Sequence, residues 1–289
     1  MHQIENGLLR VKAREYGAEL TSLYDLRSKT ERLWQADEAI WGWHAPVLFP
    51  VVGRCLNDEI RINQRTFKME KHGFARRSTF RLLELSDSKM VFSLTSDKDT
   101  LLSYPYLFEF LISYRLEAHC LLVSYEVVNK DDQDIYFSLG GHPAFAAPLY
   151  NDENYEDYYL EFEQTENVFR HKLNQDGFFT GEKDLVLNQE RTINLKKDIF
   201  KNDALIFEGL KSNSVTLKSK KHPHYVKMNF DGFPFLGIWA KENAPYVCIE
   251  PWKGCADTKN RPVDISNKEG IVLLETGKTF CITYKIEIG

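Results

Sequence analysis

The sequence predicts an all-β fold, a large antiparallel sandwich or barrel, on three observations. Short stretches of alternating apolar and polar residues recur along most of the chain, the period-two pattern of strands with one face in a core. Helical periodicity is almost absent. Gly, Pro, Asn and Asp separate the stretches at fairly regular spacing, as expected for many short strands joined by turns. The 289 residues contain no Ser/Gly/Pro-rich linker, no low-complexity tract and no convincing internal repeat, so residues 1–289 are read as a single domain. That length exceeds most sandwiches and calls for wide, many-stranded sheets.

Taken in order, Gly7 to Leu26 alternates weakly around Tyr16-Gly17-Ala18 and reads as two short strands about a turn. Leu33 to Pro50 carries Trp34, Trp41 and Trp43 and then Pro46 and Pro50, prolines that argue against a helix. Val51-Val52-Gly53-Arg54 reads as buried up to its arginine. Ile60 to Phe67 is a hairpin with Asn63-Gln64 near its turn. Phe80–Leu85, Met90–Thr95 and Phe108–Glu117 follow as strands. In the last, Phe108, Phe110, Ile112, Tyr114 and Leu116 share one face and Glu109, Ser113, Arg115 and Glu117 the other, the pattern of an antiparallel sheet wet on one side. Lys98 to Ser103, ahead of Pro105, is the one short helix expected.

Leu121 to Phe137 alternates as one or two strands and delivers Ser138-Leu139-Gly140-Gly141-His142-Pro143-Ala144-Phe145. Two glycines permit backbone conformations that a Cβ disfavours, and Pro143 pushes His142 towards an extended conformation. A histidine fixed in this way at strand ends is placed for chemistry, or else for a structural turn. Tyr150 to Tyr159 reads as an exposed loop. Leu160–Phe162, Leu185–Leu187 and Val215–Leu217 read as short separate strands. Val226–Phe230 is a further alternating stretch. Phe235–Ala240 and Tyr246–Ile249 are apolar runs of buried-strand length, and Phe280 to Ile288 closes the chain with a clean alternation.

Composition narrows the function. Hydrophobic residues make up 43% of the chain and charged residues 27%, as in soluble globular proteins. A formal charge of −5 gives no reason to expect nucleic acid as a partner, and no apolar run approaches a membrane span. The first residues lack the basic start and apolar core of a signal peptide. Five scattered cysteines without a CxxC spacing point to reduced thiols in a cytoplasm and away from a zinc site or disulfide scaffold. The 19 Phe and 14 Tyr favour strands and sugar-facing or apolar clefts.

Five polar residues stand at the ends of apolar segments: Arg54, His72, His142, Asp203 and Glu250. Val247-Cys248-Ile249 should carry Glu250 from a buried strand to its end, where Pro251 stops the ladder and Trp252 could wall a pocket. Singly, each has a structural alternative. Glu250 and Arg54 could be ion-pair partners, His72 a hydrogen-bonded core residue, and Asp203 a turn or helix cap.

Together, Pro50-Val51-Val52-Gly53-Arg54, His72-Gly73-Phe74-Ala75-Arg76, Gly140-Gly141-His142-Pro143-Ala144-Phe145 and Ile249-Glu250-Pro251-Trp252 resemble the aldose 1-epimerase (galactose mutarotase) family. Their order and spacing look most like the branch that includes the LacX proteins of lactose operons. The resemblance implies a wide, twisted β-supersandwich with a sugar site in a cleft on one sheet, and catalysis without metal or cofactor. It implies Glu250 as general base and His142 as general acid, with Arg54, His72 and Asp203 holding the sugar. Mutarotation removes the proton of the C1 hydroxyl, protonates the ring oxygen, opens the ring and recloses it on the other face. A carboxylate and an imidazole suit this because both exchange protons near neutral pH. On this reading the two side-chain tips stand about a sugar ring apart, roughly 5–8 Å, each within reach of its own proton, and Arg54 could raise the acidity of a bound hydroxyl or hold Glu250 in place.

Gly53 departs from the pattern, since the better-known galactose mutarotases carry Asn there, and the match around Asp203 is the weakest. Both bear on which sugar fits. The expectation is a monomer or homodimer acting on a small-molecule hexose. A hexose-6-phosphate mutarotase is the near alternative, with Arg76, Arg77 and Lys253 as candidate phosphate contacts. A non-catalytic sugar-binding protein on the same fold is the other, though binding alone does not require an acid–base pair. A glycoside hydrolase needs two facing carboxylates, and Glu250 is the single firm candidate.

Overall fold

The computed structural model describes residues 1–289 and carries the antiparallel all-β architecture expected. Twenty-three strands are joined by turns and short 3-10 segments, and the single α-helix is one turn, Thr100–Ser103. No helix is long and apolar enough to cross a membrane. A small N-terminal sheet is a four-strand meander that includes Leu9–Ala13 paired with Leu20–Asp25.

The large sheet holds fifteen strands. Its path runs from Val47–Leu48 through Leu139–Gly141, Tyr246–Lys253, Phe235–Trp239 and Leu205–Glu208 to the long strand Tyr158–Leu173. From there it continues through Ser214–Ser219, Tyr225–Asn229, Thr279–Ile288, Cys120–Asn129, Phe108–Glu117 and Lys89–Thr95 to the edge strand Arg81–Leu85. Alternation reads through to burial: Phe108, Phe110, Ile112, Tyr114 and Leu116 are buried, and their sequence neighbours are not. One hydrophobic cluster runs through the molecule, and a smaller one, including Leu48, Ile206, Phe235 and Trp252, lies at the end of the sheet that bears the site.

The hairpin Glu59–Ile62 to Arg65–Lys68 turns on Asn63 and Gln64 at φ 48° and 66°, a two-residue turn whose twist matches the flanking strands. Two expectations fail. The stretch from Tyr158 to Asn194 is not a set of short strands but two 16-residue strands, Tyr158–Leu173 and Phe179–Asn194, paired as one arm. Its outer strand is buried only at Phe179, Leu187 and Ile193, so polar residues replace the alternation that marks a half-buried strand. Nor is Tyr150 to Tyr159 simply an exposed loop. Glu153 is buried and accepts hydrogen bonds from the Tyr158 and Ser219 hydroxyls, which tie the segment to the sheet.

Candidate functional site

The site is built on the central strand Tyr246–Lys253 and the chain that crosses it at Leu139–Ala146. Gly140 pairs with Trp252 and Ala144 with Cys248, so His142 falls opposite Glu250. The period of two then puts Cys248, Glu250 and Trp252 on one face of their strand. The two glycines are needed for space, not for unusual dihedrals, since neither has a positive φ. A Cβ on Gly140 would stand 2.6 Å from the Trp252 ring, and one on Gly141 2.8 Å from the Tyr284 hydroxyl. The expectation of special backbone freedom here is therefore corrected: close approach on both faces of the strand excludes a side chain.

His142 Nε2 and Glu250 Oε2 lie 3.2 Å apart. The expected gap of a sugar ring is thus wrong, because antiparallel register makes the two residues direct cross-strand neighbours. Both are buried. Glu250 Oε2 and His142 Nδ1 have no hydrogen-bond partner, and neither does the Trp252 indole N–H.

His72 arrives at φ 68° from a turn in which its Nδ1 accepts a hydrogen bond from the Gly53 N–H at 3.1 Å. That bond leaves Nε2 as the ring's donor. The His72 ring meets His142 edge-on with centroids 5.8 Å apart. Asp203, also at positive φ (70°), caps its own turn by accepting from Ala204 N–H and lines the same cleft. Non-glycine residues held in this conformation cluster at functional sites.

The cleft measures about 740 Å³ out to its open mouth. His72, His142, Asp203 and Glu250 line it together with Lys71 and Arg76. Three indoles join Pro46, Leu173 and Ile206 in its apolar walls. Trp252 was anticipated; Trp41 and Trp239 were not. Trp41 lies over His142 with ring centroids 5.1 Å apart and stacks on Tyr246, and Trp239 meets His142 edge-on at 5.8 Å. The Trp34 indole N–H donates to the Trp41 carbonyl and holds that loop down.

Arg54 is not brought to this group. Its guanidinium pairs with both oxygens of Asp58 at 2.8 and 3.0 Å and donates to the Asp176 carbonyl in an adjoining recess. It therefore does not hold Glu250. Arg76 stands in the cleft instead, donating to the Lys71 carbonyl, with its Nε buried and unpartnered. Neither Lys71 nor Arg76 has an acidic ion-pair partner, whereas Arg77 is paired with Glu70. Lys253 is absent from the cleft wall.

The electrostatics follow from burial. It pushes Glu250 well above the usual carboxylate range; Lys71 opposes this, Asp203 adds to it, and the Trp252 N–H opposes it. Burial also takes His142 down to about 3, a contact with its own backbone opposing and Lys71 and Arg76 assisting. His72 is lowered by burial and then by Lys71 and His142. Burial thus favours the uncharged form of both groups, and a proton shared by the pair rests on the carboxyl side.

Comparison with known proteins agrees with this architecture. The model of the aldose 1-epimerase family matches residues 1–286. The plasmid-borne LacX protein of Lactococcus lactis subsp. lactis is 33% identical over 292 residues, covering 92% of this chain and 96% of that protein. A galactose mutarotase related enzyme from Lactobacillus acidophilus is 35% identical with a TM-score of 0.95, over 100% of this chain and 97% of that one. A galactose mutarotase-like protein from Lactobacillus casei is 31% identical with a TM-score of 0.93, over the whole of both chains. With a family match that spans nearly every residue and a shared fold at this level of identity, the chain belongs to the aldose 1-epimerase family, among relatives that include LacX.

Proposed function

We propose that the protein is an aldose 1-epimerase that interconverts the α and β anomers of a hexose by acid–base ring opening and closure. The observation that carries this reading is the 3.2 Å contact between His142 and Glu250. The two atoms that exchange protons in mutarotation, the C1 hydroxyl oxygen and the ring oxygen, are bonded to the same carbon. An acid and a base in mutual contact lie close enough to address both oxygens at once.

The pair contributes one proton and one vacant site. In the direction that opens the ring, one member takes the hydroxyl proton while the other protonates the ring oxygen, and closure reverses both transfers. The resemblance assigns Glu250 as base and His142 as acid. That arrangement follows when the carboxyl proton passes to the imidazole; Lys71 supports the carboxylate so formed and opposes the imidazolium. His72 Nε2, Asp203 and Arg76 are suited to hold hydroxyls, and the indoles to pack against the ring's apolar face.

The mutually unpaired cations Lys71 and Arg76 at the cleft favour a second reading, a substrate carrying a phosphate. Polarimetry tests both. Freshly dissolved α-glucose, α-galactose and their 6-phosphates should show accelerated approach to anomeric equilibrium with at least one of them. His142→Ala should lower that acceleration on the order of 10²–10⁴-fold. Saturable sugar binding without acceleration of any sugar would establish a binding protein instead.

A further inference from the structure

Cys248 is the one reactive group at the centre of the site that acid–base chemistry does not use. It is fully buried beside Glu250 on the same strand face and next to His142 across the ladder. Ligand-capable atoms of His142, Cys248 and Glu250 all lie within 4.8 Å of one another. A packing role alone would be met by any small apolar residue.

We propose that His142, Cys248 and Glu250 form an inhibitory site for a thiophilic divalent cation such as Zn²⁺, which occupies the catalytic pair in place of sugar. Zinc is held by sulfur at about 2.3 Å and by nitrogen or oxygen at about 2.0–2.2 Å in a tetrahedron. Neighbouring ligands in such a tetrahedron stand about 3.3–3.6 Å apart, and the observed nitrogen–oxygen edge is 3.2 Å. Thiolate and imidazole together favour zinc over magnesium or calcium. Glu250 Oε2 is buried without a hydrogen-bond partner, so a cation would satisfy a carboxylate oxygen that the protein leaves bare. Three protein ligands leave a fourth position for water. Binding replaces the thiol and carboxyl protons by the metal and releases them to solvent.

Metal binding itself rests on this geometry, and inhibition rests in addition on the mutarotase reading. The test uses the whole protein with Co²⁺ as spectroscopic probe and Zn²⁺ as inhibitor, on the wild type, Cys248→Ser and Cys248→Ala. The wild type should bind one Co²⁺ with a thiolate-to-metal charge-transfer band that is absent from both variants, which keep Cys55, Cys120, Cys255 and Cys281 as background. Zn²⁺ should inhibit mutarotation competitively with sugar and reversibly by chelator. The inhibition constant should rise at least 10–100-fold in either variant, since loss of an outer partner alone has that effect, while metal-free turnover stays within about twofold of wild type. A band that survives in both variants, no band in the wild type, or equal zinc inhibition in all three proteins would overturn the proposal. A wild type that shows the Cys248-dependent band but no turnover on any sugar would keep the metal site and refute the mutarotase reading.

Discussion

Gly140→Ala adds a single methyl group to the strand that carries His142, and the consequences can be worked from the packing around it. The new Cβ would stand 2.6 Å from the nearest Trp252 ring carbon and 3.0 Å from the Pro251 carbonyl, where ordinary contact begins near 3.4 Å. The indole must therefore retreat by about 0.8 Å. Its far edge is no freer, because it lies 2.9 Å from where a Cβ on Gly237 would be, so the ring is seated on two bare backbones. Overpacking of this kind costs about 1–3 kcal/mol, or a fall in Tm of roughly 2–12 °C at 2–4 °C per kcal/mol for a chain of this size. Trp252 also walls the cleft beside Glu250 on the same strand face, so a displacement near 1 Å should lower turnover by about 10²-fold. Gly140 has no positive φ, so alanine brings no dihedral penalty of its own. The assays are thermal melting, tryptophan emission and polarimetry, repeated in a Trp252→Ala background, where the added methyl should cost little. A Gly140→Ala protein with wild-type Tm and turnover would refute the reasoning, as would a penalty undiminished when the ring is gone.

The remaining predictions concern the proton and the cations. Mutarotation should depend on pH as a broad plateau through neutrality, because the pair is active with one proton on either member. The acid limb should lie near the lowered imidazole value of about 3 and the alkaline limb at the raised carboxyl; a maximum confined between pH 4.5 and 6.5 would contradict this. Glu250→Gln should abolish turnover yet stabilise the protein. A carboxyl raised on folding contributes stability below its unfolded value of 4.5 that is lost as pH rises, at about 1.4 kcal/mol per pH unit. Melts at pH values rising from 5 should thus show the variant gaining on the wild type. Arg54→Ala should change KM by less than about threefold and Tm little, as for other exposed ion pairs, while Arg76→Met should raise KM at least tenfold; steady-state kinetics reverse the assignment if the order is inverted.

How much of this was legible in the sequence depends on the range of the signal. Strands with one wet face, such as Phe108–Glu117, announce themselves through a period of two and were readable residue by residue. The 16-residue arm was not, because its outer strand, Phe179–Asn194, is exposed at most positions and carries no regular alternation. Within the site, His72, His142 and Glu250 stood out as polar residues beside Gly or Pro at the ends of apolar runs, and Asp203 as a polar residue where such a run begins. Trp41 gave no such sign: it meets His142 across about a hundred residues, in a loop held by Trp34. Arg54 and Arg76 both follow a glycine-containing buried stretch, and only the fold decides that the first turns outward to Asp58 while the second turns in.

Register is the quantity that no local pattern supplies, and here it determines the chemistry. Had Leu139–Ala146 paired one residue out of step with Tyr246–Lys253, His142 would face Ile249 or Pro251, and Glu250 would lose its neighbour, since a slip of one reverses every side chain. Two contacts forbid that slip. Trp252 requires the bare backbone of Gly140 beneath it, and the Tyr284 hydroxyl requires that of Gly141 on the opposite face. The glycines thus fix the register, the register puts His142 and Glu250 in contact at 3.2 Å, and the contact allows one proton to serve two oxygens on a single carbon. Residues that carry no functional group set the geometry on which the proposed reaction depends.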